Sequence, residues 1–206
     1  MHRFRWLVLA LAAVFSVPAQ ASGGRAQLDA FFDGLVTLRA DFQQRVIGPD
    51  FGSAMGSEGV FYLQRPGLFR WEYRQPPQLV VADGDRVWLY DQELEQVSHQ
   101  GQERTLRGTP AQLLVDTAPL EDYFALGEIE RGGGLSWVEL RPLDSGSEFE
   151  RILLGFGDGL LRELEMEDSF GQITLFRFAG LERNPGLDQK LFRFVPPPGI
   201  DVLGTD

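Results

Sequence analysis

Residues 59–74 have the sequence GVFYLQRPGLFRWEYR, in which two alternating patterns are joined by Arg65-Pro66-Gly67. After the turn, large rings recur at every second position, and the charged residues take the positions between them: Phe69, Trp71, Tyr73; Arg70, Glu72, Arg74. Successive side chains of a β-strand point to opposite faces, so the stretch predicts an antiparallel hairpin with one aromatic face. That face is turned toward either a packed core or a chamber.

Strand patterns continue on both sides of this hairpin. Pro76 and Pro77 end its second strand, residues 79–82 resume one, and Asp83-Gly84-Asp85 predicts a tight reversal into residues 87–91. Further strands are predicted at 134–141, 148–156, 160–167, 172–178 and 190–195. Because strand follows strand without intervening helices, the order favours an antiparallel meander over a βαβ sheet.

Two short helical segments accompany these strands. The first is predicted from apolar residues at three-and-four spacing, which must lie on an apolar surface: Leu28, Phe31, Phe32, Leu35, Leu38. Strand-like alternation starts near residue 40, and residues 48–57 are predicted to be a loop. Thr109-Pro110 is a favourable helix start for residues 111–115. Residues 120–126 fit a helix or a loop equally.

Residues 1–21 have the three parts of a secretory signal peptide: a basic start, an apolar run over 6–17, and Ala19-Gln20-Ala21 as the cleavage site. The run is too short to span a bilayer, and an uncleaved interfacial helix is the alternative. We expect an exported, soluble chain with one domain over residues 22–206. The sequence has no cysteine, which excludes lipid attachment at an N-terminal cysteine, disulfides and thiolate metal sites.

The exported chain is strongly acidic. Removing Arg3 and Arg5 from the 19 basic residues leaves 17 against 30 acidic residues, a formal charge of −13. Phosphate backbones and anionic headgroups repel such a surface, which argues against nucleic-acid binding and stable residence on a membrane. Such repulsion would be useful to a shuttle that must leave each membrane, but solubility is the more general explanation, and the charge alone does not discriminate between the two.

Catalytic residues are hard to find. Outside the signal peptide the one histidine is His99, in a polar stretch that predicts a solvated loop rather than a base or a ligand. Glu163, Glu165 and Glu167 alternate with apolar residues, as the wet face of a half-exposed strand does. A carboxylate-based hydrolase stays a weak alternative. We therefore predict that the protein is not an enzyme and that it has no cofactor and no metal site.

The order of these motifs resembles one known family. Gly59, Arg65-Pro66-Gly67-Leu68-Phe69, Trp71, Tyr73 and the later Val87-Trp88 and Tyr90-Asp91 are similar to the pattern of the LolA family, periplasmic carriers that move lipoproteins between the two membranes of Gram-negative bacteria. Residues 109–114 resemble that family's lid segment, and residues 192–202 resemble its closing strand. The likeness extends over nearly all of the chain after residue 21.

The resemblance implies a fold and a function. The fold would be α+β, a single domain in which a curved antiparallel unclosed β-barrel, or half-barrel, is covered by short α-helices forming a lid. The protein would be a monomeric periplasmic chaperone for acylated lipoproteins, loaded by an inner-membrane ABC transporter and unloaded to an outer-membrane lipoprotein receptor. A lipid- or lipoprotein-sensing module of the same fold is the alternative.

The resemblance also implies ligand-binding residues. The expected lining of an apolar hollow consists of Phe61, Leu63, Phe69, Trp71, Trp88 and Trp137, with Phe32 and Leu114 in the lid. Ordinary core packing is an equally good interpretation of any one of them. Phe69 matches a family position that contacts the loading transporter.

Arg65 is the most distinctive of these positions. By alternation it shares a face with Phe61 and Leu63, where a guanidinium needs acceptors. The resemblance implies that it bonds backbone carbonyls of the lid helices around Phe32 and around residues 114–115. The alternative is that Arg65 extends into solvent at the strand end.

Overall fold

The computed structural model describes residues 23–50, 54–107 and 109–205, so the predicted signal peptide lies outside the described residues. Three α-helices are present in this part: α1 (Gly24–Phe32), α2 (Gln102–Leu106), α3 (Pro110–Val115). Twelve strands accompany them: β1 (Thr37–Ile47), β2 (Ala54–Gln64), β3 (Leu68–Arg74), β4 (Pro77–Asp83), β5 (Arg86–Asp91), β6 (Gln96–Gly101), β7 (Phe124–Ile129), β8 (Ser136–Pro142), β9 (Phe149–Gly157), β10 (Leu160–Asp168), β11 (Ile173–Arg183), β12 (Asp201–Thr205).

All twelve strands form one sheet in the order β12-β6-β5-β4-β3-β2-β1-β11-β10-β9-β8-β7. Two antiparallel meanders, β1–β6 and β7–β11, meet where β1 pairs with β11. β12 is added parallel to β6 at one edge. Within the described residues β7 and β12 do not pair with each other, so the sheet is unclosed, and the predicted α+β half-barrel is confirmed.

The sheet is strongly curved. Trp71 on β3 and Phe176 on β11 are separated by three interstrand steps, about 14 Å in a flat sheet, yet their ring centroids lie 5.0 Å apart across the concave side. Gly59 on β2 lets the backbone of β3 and the ring of Phe42 approach β2 closely at the bend. A Cβ placed there would lie 1.9 Å from the carbonyl oxygen of Glu72 and 2.8 Å from the ring of Phe42.

α1 covers the concave side of β7–β10. It ends at Phe32, earlier than predicted, and Gly34 at φ 62° starts the turn into β1. Leu28 and Phe31 are fully buried, and the ring centroid of Phe31 lies 5.7 Å from that of Phe156 on β9. The predicted apolar stripe is therefore real, but Leu38 belongs to β1.

Several local predictions are corrected. The strand predicted over residues 190–195 is wrong, because the Asp188 carboxylate accepts the Lys190 N–H and starts a 3₁₀ helix over Gln189–Phe192. The last strand is β12, which follows the proline run 196–198. His99 lies in β6 rather than in a loop. Residues 120–126 divide into a 3₁₀ turn, Leu120–Asp122, and the start of β7.

The chain between β11 and β12 packs on the convex side of the sheet. Arg70 Nη1 donates to the carbonyl of Leu191 at 3.1 Å, and Phe192 is buried there. Val81 and Val97 on this face have no exposed area. Both faces of β4–β6 are consequently covered by protein over part of their length. None of the helices in the described residues is long and apolar enough to cross a membrane.

Candidate functional site

An apolar cavity of about 270 Å³ lies between the concave side of the sheet and the pair α2–α3. The two short helices form its roof, and the two meanders supply opposite walls. Its lining residues are Phe69, Trp71, Tyr73, Val80, Val87, Thr105, Leu106, Thr109, Ala111, Leu114, Phe149, Leu164, Met166 and Phe176. The hydroxyl of Thr109 donates to the Leu106 carbonyl at 2.7 Å, so that the cavity is left almost without free polar groups.

Aromatic rings in tilted and edge-to-face contact support the cavity wall around Trp71. Trp71 lies at centroid distances of 4.3 Å from Phe61 and 4.8 Å from Phe42, in addition to its contact with Phe176. Large rigid rings that brace one another cannot collapse into the remaining space, and apolar cavities of this kind bind apolar ligands. Burial raises the pKa of Tyr73 to about 12, so its hydroxyl stays neutral at the cavity wall.

The structure separates the predicted lining residues into two groups. Phe69, Trp71 and Leu114 line the cavity. Phe61 and Leu63 share the concave face but are fully buried behind the lining, in the packed core.

The expectation for Trp88 needs correction, because it lies on the convex face. Its indole Nε1 donates to Asp83 Oδ2 at 2.7 Å, and its ring lies 5.6 Å from that of Phe194. Val87, one residue earlier, takes the concave position. Trp137 also faces away from the cavity, with the Arg131 guanidinium 4.9 Å from its ring.

Arg65 is half-buried between the sheet and the lid. Its Nη2 donates to the backbone carbonyl of Asp116, one residue beyond the end of α3, and its guanidinium lies 5.3 Å from the Phe32 ring centroid. The contact with α1 is thus a cation–π contact, not the expected carbonyl bond. Burial lowers the pKa of Arg65, and the nearby Asp116 opposes this shift. Phe32 and Arg65 also line a separate, open cavity of about 550 Å³ beside α1.

Further hydrogen bonds tie the β2–β3 turn to the lid. Gly67 N–H donates to the Val115 carbonyl at 3.0 Å. The Gln102 side chain, which is buried in α2, donates to the Gly67 carbonyl at 2.7 Å and accepts the Gly84 N–H at 3.0 Å. Together with the Arg65 bond, these contacts form the lid latch: Arg65, Gly67, Gln102, Val115, Asp116.

Sequence reasoning identified three of the fourteen lining residues and missed one whole wall of the cavity. The wall from β9–β11 comprises Phe149, Leu164, Met166 and Phe176, and α2 contributes Leu106. Alternation places Leu164 and Met166 on one face of β10, and this signal was available. Long-range strand pairing determines which face of the sheet is concave, and it places β10–β11 opposite β3. Local alternation does not contain this information.

The carboxylates considered for hydrolysis are engaged in ion pairs on the convex face. Glu165 meets Arg131 at 2.8 Å, and the two neighbouring glutamates on β10 are paired in the same way: Glu163 with Arg177, Glu167 with Arg151. Carboxylates already paired with arginine are poorly suited to acid–base work. In the described ranges no group of three or more His, Asp or Glu residues is placed to hold a metal ion.

Comparison with known proteins gives a consistent result. Residues 33–195 match the family model of the outer membrane lipoprotein carrier protein LolA. An outer-membrane lipoprotein carrier protein of Nitrosospira multiformis is 42% identical over 182 residues, covering 87% of this chain and 88% of that protein. One from Dechloromonas aromatica is 41% identical over 184 residues, covering 89% and 88%.

The fold also has a counterpart among solved structures. An uncharacterized conserved protein from Thermus thermophilus superposes with a TM-score of 0.53 at 15% identity, covering 88% of this chain and 97% of that chain. At this identity the likeness concerns the fold alone.

Proposed function

The chain belongs to the outer membrane lipoprotein carrier (LolA) family, and from that premise we propose that it is a periplasmic chaperone that binds the acyl chains of lipoproteins and delivers them to the outer membrane. Residues 1–21 act as the signal peptide, and residues 22–206 form the carrier domain. The chain is not an enzyme in this proposal. Its work is to keep hydrocarbon out of water between two membranes.

The apolar cavity under α2–α3 supports this function. Burial of each methylene group is favourable by about 0.8 kcal/mol, and the lining offers rings and aliphatic side chains to acyl groups. A carrier must have room for its cargo, which an interior packed to full density would not offer. It must also release that cargo, which a site of very high affinity would prevent. Cavity residues Phe69, Trp71 and Leu114 are the proposed acyl-binding residues.

The lid latch gives a physical reason for release. Acyl chains enter by displacing α2–α3, which breaks the bond from Arg65 to Asp116 and the bonds around Gly67. The loaded state then lacks contacts that the empty state has, so binding is weaker than acyl burial alone would make it. When the cavity is empty the lid closes and these bonds form again, which favours delivery of the lipid.

Three partners follow from the proposal. An inner-membrane ABC transporter supplies the acylated lipoprotein and the energy of ATP hydrolysis, and an outer-membrane lipoprotein receptor accepts the cargo. Phe69 is proposed to contact the transporter, since it lies at the lid end of β3. The acidic surface, repelled by anionic headgroups, suits a carrier that leaves each membrane.

Release of lipoproteins from spheroplasts tests the proposal. Purified protein is added to spheroplasts that retain outer-membrane lipoproteins, and the soluble lipoprotein–carrier complex is measured. Ala111→Glu places a carboxylate in the apolar cavity, where it lacks partners, and is expected to reduce release at least tenfold because an unpaired buried charge is costly.

Ala125→Glu is the matched control, since it makes the same substitution at an exposed position of β7, outside the cavity. It should release lipoprotein at the wild-type level. Failure of the wild-type protein to release any lipoprotein would refute a carrier function, and normal release by Ala111→Glu would refute this cavity as the binding site.

A further inference from the structure

A polar position lies on the concave face at the edge of the cavity, away from the lid latch. Gln44 on β1 pairs directly with Phe176 of β11 on one side and with Ser57 of β2 on the other. Directly paired residues point to the same face of a sheet, and Phe176 lines the cavity, so Gln44 also lies on the concave face. Ser57 precedes Arg65 by eight residues, about 27 Å along the strand. Gln44 and the lid latch therefore lie toward opposite ends of β2.

The side-chain oxygen of Gln44 is buried without a hydrogen bond. Within the described residues no group donates to its Oε1. The neighbouring rings on this face, Phe42 and Phe176, lie 5.9 Å apart between centroids and carry no N–H or O–H group. Burying an amide oxygen without a donor is unfavourable, and the large majority of buried polar side-chain atoms have a partner. The concave face thus presents an acceptor that a bound molecule with an N–H group would satisfy.

Uncharged hydroxyl groups surround this acceptor. Ser57 is the direct cross-strand partner of Gln44, Thr174 is diagonal to Gln44, and Tyr73 is diagonal to Ser57. Diagonal neighbours are about 7–8 Å apart, within reach of long side chains. We name Gln44, Ser57, Tyr73 and Thr174 the polar floor. The concave positions next to Gln44 on β1, β2 and β11 carry no carboxylate or ammonium group: Phe42, Val46, Met55, Ser57, Gly59, Thr174, Phe176, Phe178.

A lipidated N-terminal cysteine has a matching polar region between its acyl chains and its peptide. The diacylglyceryl group has ester carbonyls, which accept hydrogen bonds from hydroxyls. When the cysteine nitrogen is acylated it is a neutral amide with one N–H group, and otherwise it is an ammonium with three N–H groups and a charge. One amide oxygen satisfies the amide N–H, but it does not compensate a buried ammonium. The neutral polar floor therefore suits the N-acylated form.

We propose that the polar floor binds the head group of the lipidated cysteine and that Gln44 Oε1 accepts the N–H of its N-acyl amide. This inference rests on the proposed carrier function and names the form of lipoprotein that the site takes. The acyl chains extend from the floor under α2–α3 toward the lid latch, and the peptide leaves at the other end. Gln44 is then a specificity-determining residue, because N-acylation supplies the donor that its side chain lacks.

Two synthetic lipopeptides test the role of Gln44. Both carry the same three acyl chains, but in one of them an ester oxygen replaces the N–H of the N-acyl amide. Their affinities for the exported protein are measured by fluorescence competition. The wild type is expected to bind the amide about tenfold more tightly than the ester, because the ester leaves the buried acceptor unsatisfied. In Gln44→Leu this preference should fall to less than about twofold, since the acceptor is gone.

Matched variants separate the polar floor from general surface effects. Gln43→Leu makes the same substitution one residue earlier, at an exposed position on the convex face, and should keep the wild-type preference. Gln44→Glu replaces the neutral acceptor by a carboxylate. It should bind a diacyl lipopeptide with a free α-ammonium about tenfold more tightly than the wild type does, because that hydrogen bond joins opposite charges. Urea denaturation checks that each variant is folded, and the wild-type comparison of amide with ester requires no variant.

The outcomes distinguish this inference from the proposed function. If the wild type binds the amide and the ester equally well, Gln44 does not accept the N–H, and the inference is overturned while the carrier function stands. A preference for the amide that persists in Gln44→Leu would place the acceptor elsewhere and would also overturn it. If the wild type binds neither lipopeptide, the carrier function fails as well. Loss of the preference in Gln44→Leu, with tighter ammonium binding by Gln44→Glu, supports the polar floor.

Discussion

The two halves of the concave face are covered in different ways. α1 covers β7–β10 with fully buried apolar side chains, whereas α2 and α3 cover β3–β6 with a cavity beneath them and polar contacts at their ends. Lifting α1 would break many buried apolar contacts at once, whereas lifting α2–α3 breaks a few hydrogen bonds and the contacts around a cavity. We infer that α1 belongs to the rigid body and α2–α3 is the part that moves.

Phe31→Ala should have the largest effect, because it removes a fully buried ring from the packing under α1. The expected loss of unfolding free energy is about 4 kcal/mol, within the range for Phe→Ala in a packed core. Urea denaturation measures it. Leu114→Ala, beside the existing cavity, is the comparison and should lose about 2 kcal/mol, since fewer contacts surround that side chain. Equal losses at both positions would contradict the difference between the halves.

Arg65→Leu should shift the balance toward the loaded state. A hydrogen bond from a charged donor contributes about 1.5–3 kcal/mol, so loss of the bond to Asp116 is expected to slow lipid release roughly tenfold or more. Transfer of a bound lipopeptide to acceptor vesicles measures this rate. Arg45→Leu, at an exposed arginine on β1, should transfer normally.

Wild-type transfer by Arg65→Leu would mean that the guanidinium does not latch the lid. Arg65→Lys refines the same point, because lysine keeps the charge but does not reproduce the geometry of the guanidinium. It should transfer at an intermediate rate.

The sequence predicted most strands of both meanders well, and the lid and the two faces of β5 poorly. Alternation around Phe69 and Trp71 was enough to place those rings, because one face of β3 is apolar and the other charged. β5 carries apolar residues on both faces, and Trp88 was assigned to the wrong one. Its convex face is covered by residues far along the chain, around Phe194, and local patterns do not contain that information.

The lid illustrates the same limit at the level of secondary structure. Thr109-Pro110 predicted α3, although the Thr109 hydroxyl donates to the Leu106 carbonyl and does not cap the helix. α2 has only five residues, too few for a periodic signal. Tertiary contacts fix it, through Gln102 between Gly67 and Gly84. β12 was likewise hidden, since its strand is defined by parallel pairing with β6.

Gln102→Leu sharpens the comparison by changing the lid alone. Without the amide, the Gly67 carbonyl and the Gly84 N–H lose their partners, which costs about 1.5 kcal/mol. Hydrogen exchange should become faster in residues 102–115 and stay unchanged in residues 24–32. Equal acceleration in α1 would indicate that the two covers open as one unit.

Tyr73→Phe should have the smallest effect, and only at high pH. Burial at the cavity wall raises the pKa of Tyr73 to about 12, above the value of about 10 in an unfolded chain. Above pH 10 the unfolded chain therefore loses this proton before the folded one, and stability falls as pH rises toward 12.

At pH 11 the resulting loss for the wild type is about 1 kcal/mol. Tyr73→Phe should lack this part of the decline when urea denaturation at pH 9 and pH 11 is compared. A decline of the same size in Tyr73→Phe would show that the hydroxyl is reached by water. The cavity wall on β3 would then be open to solvent at Tyr73. The cavity would not be dry there, which would contradict the description of this half of the molecule.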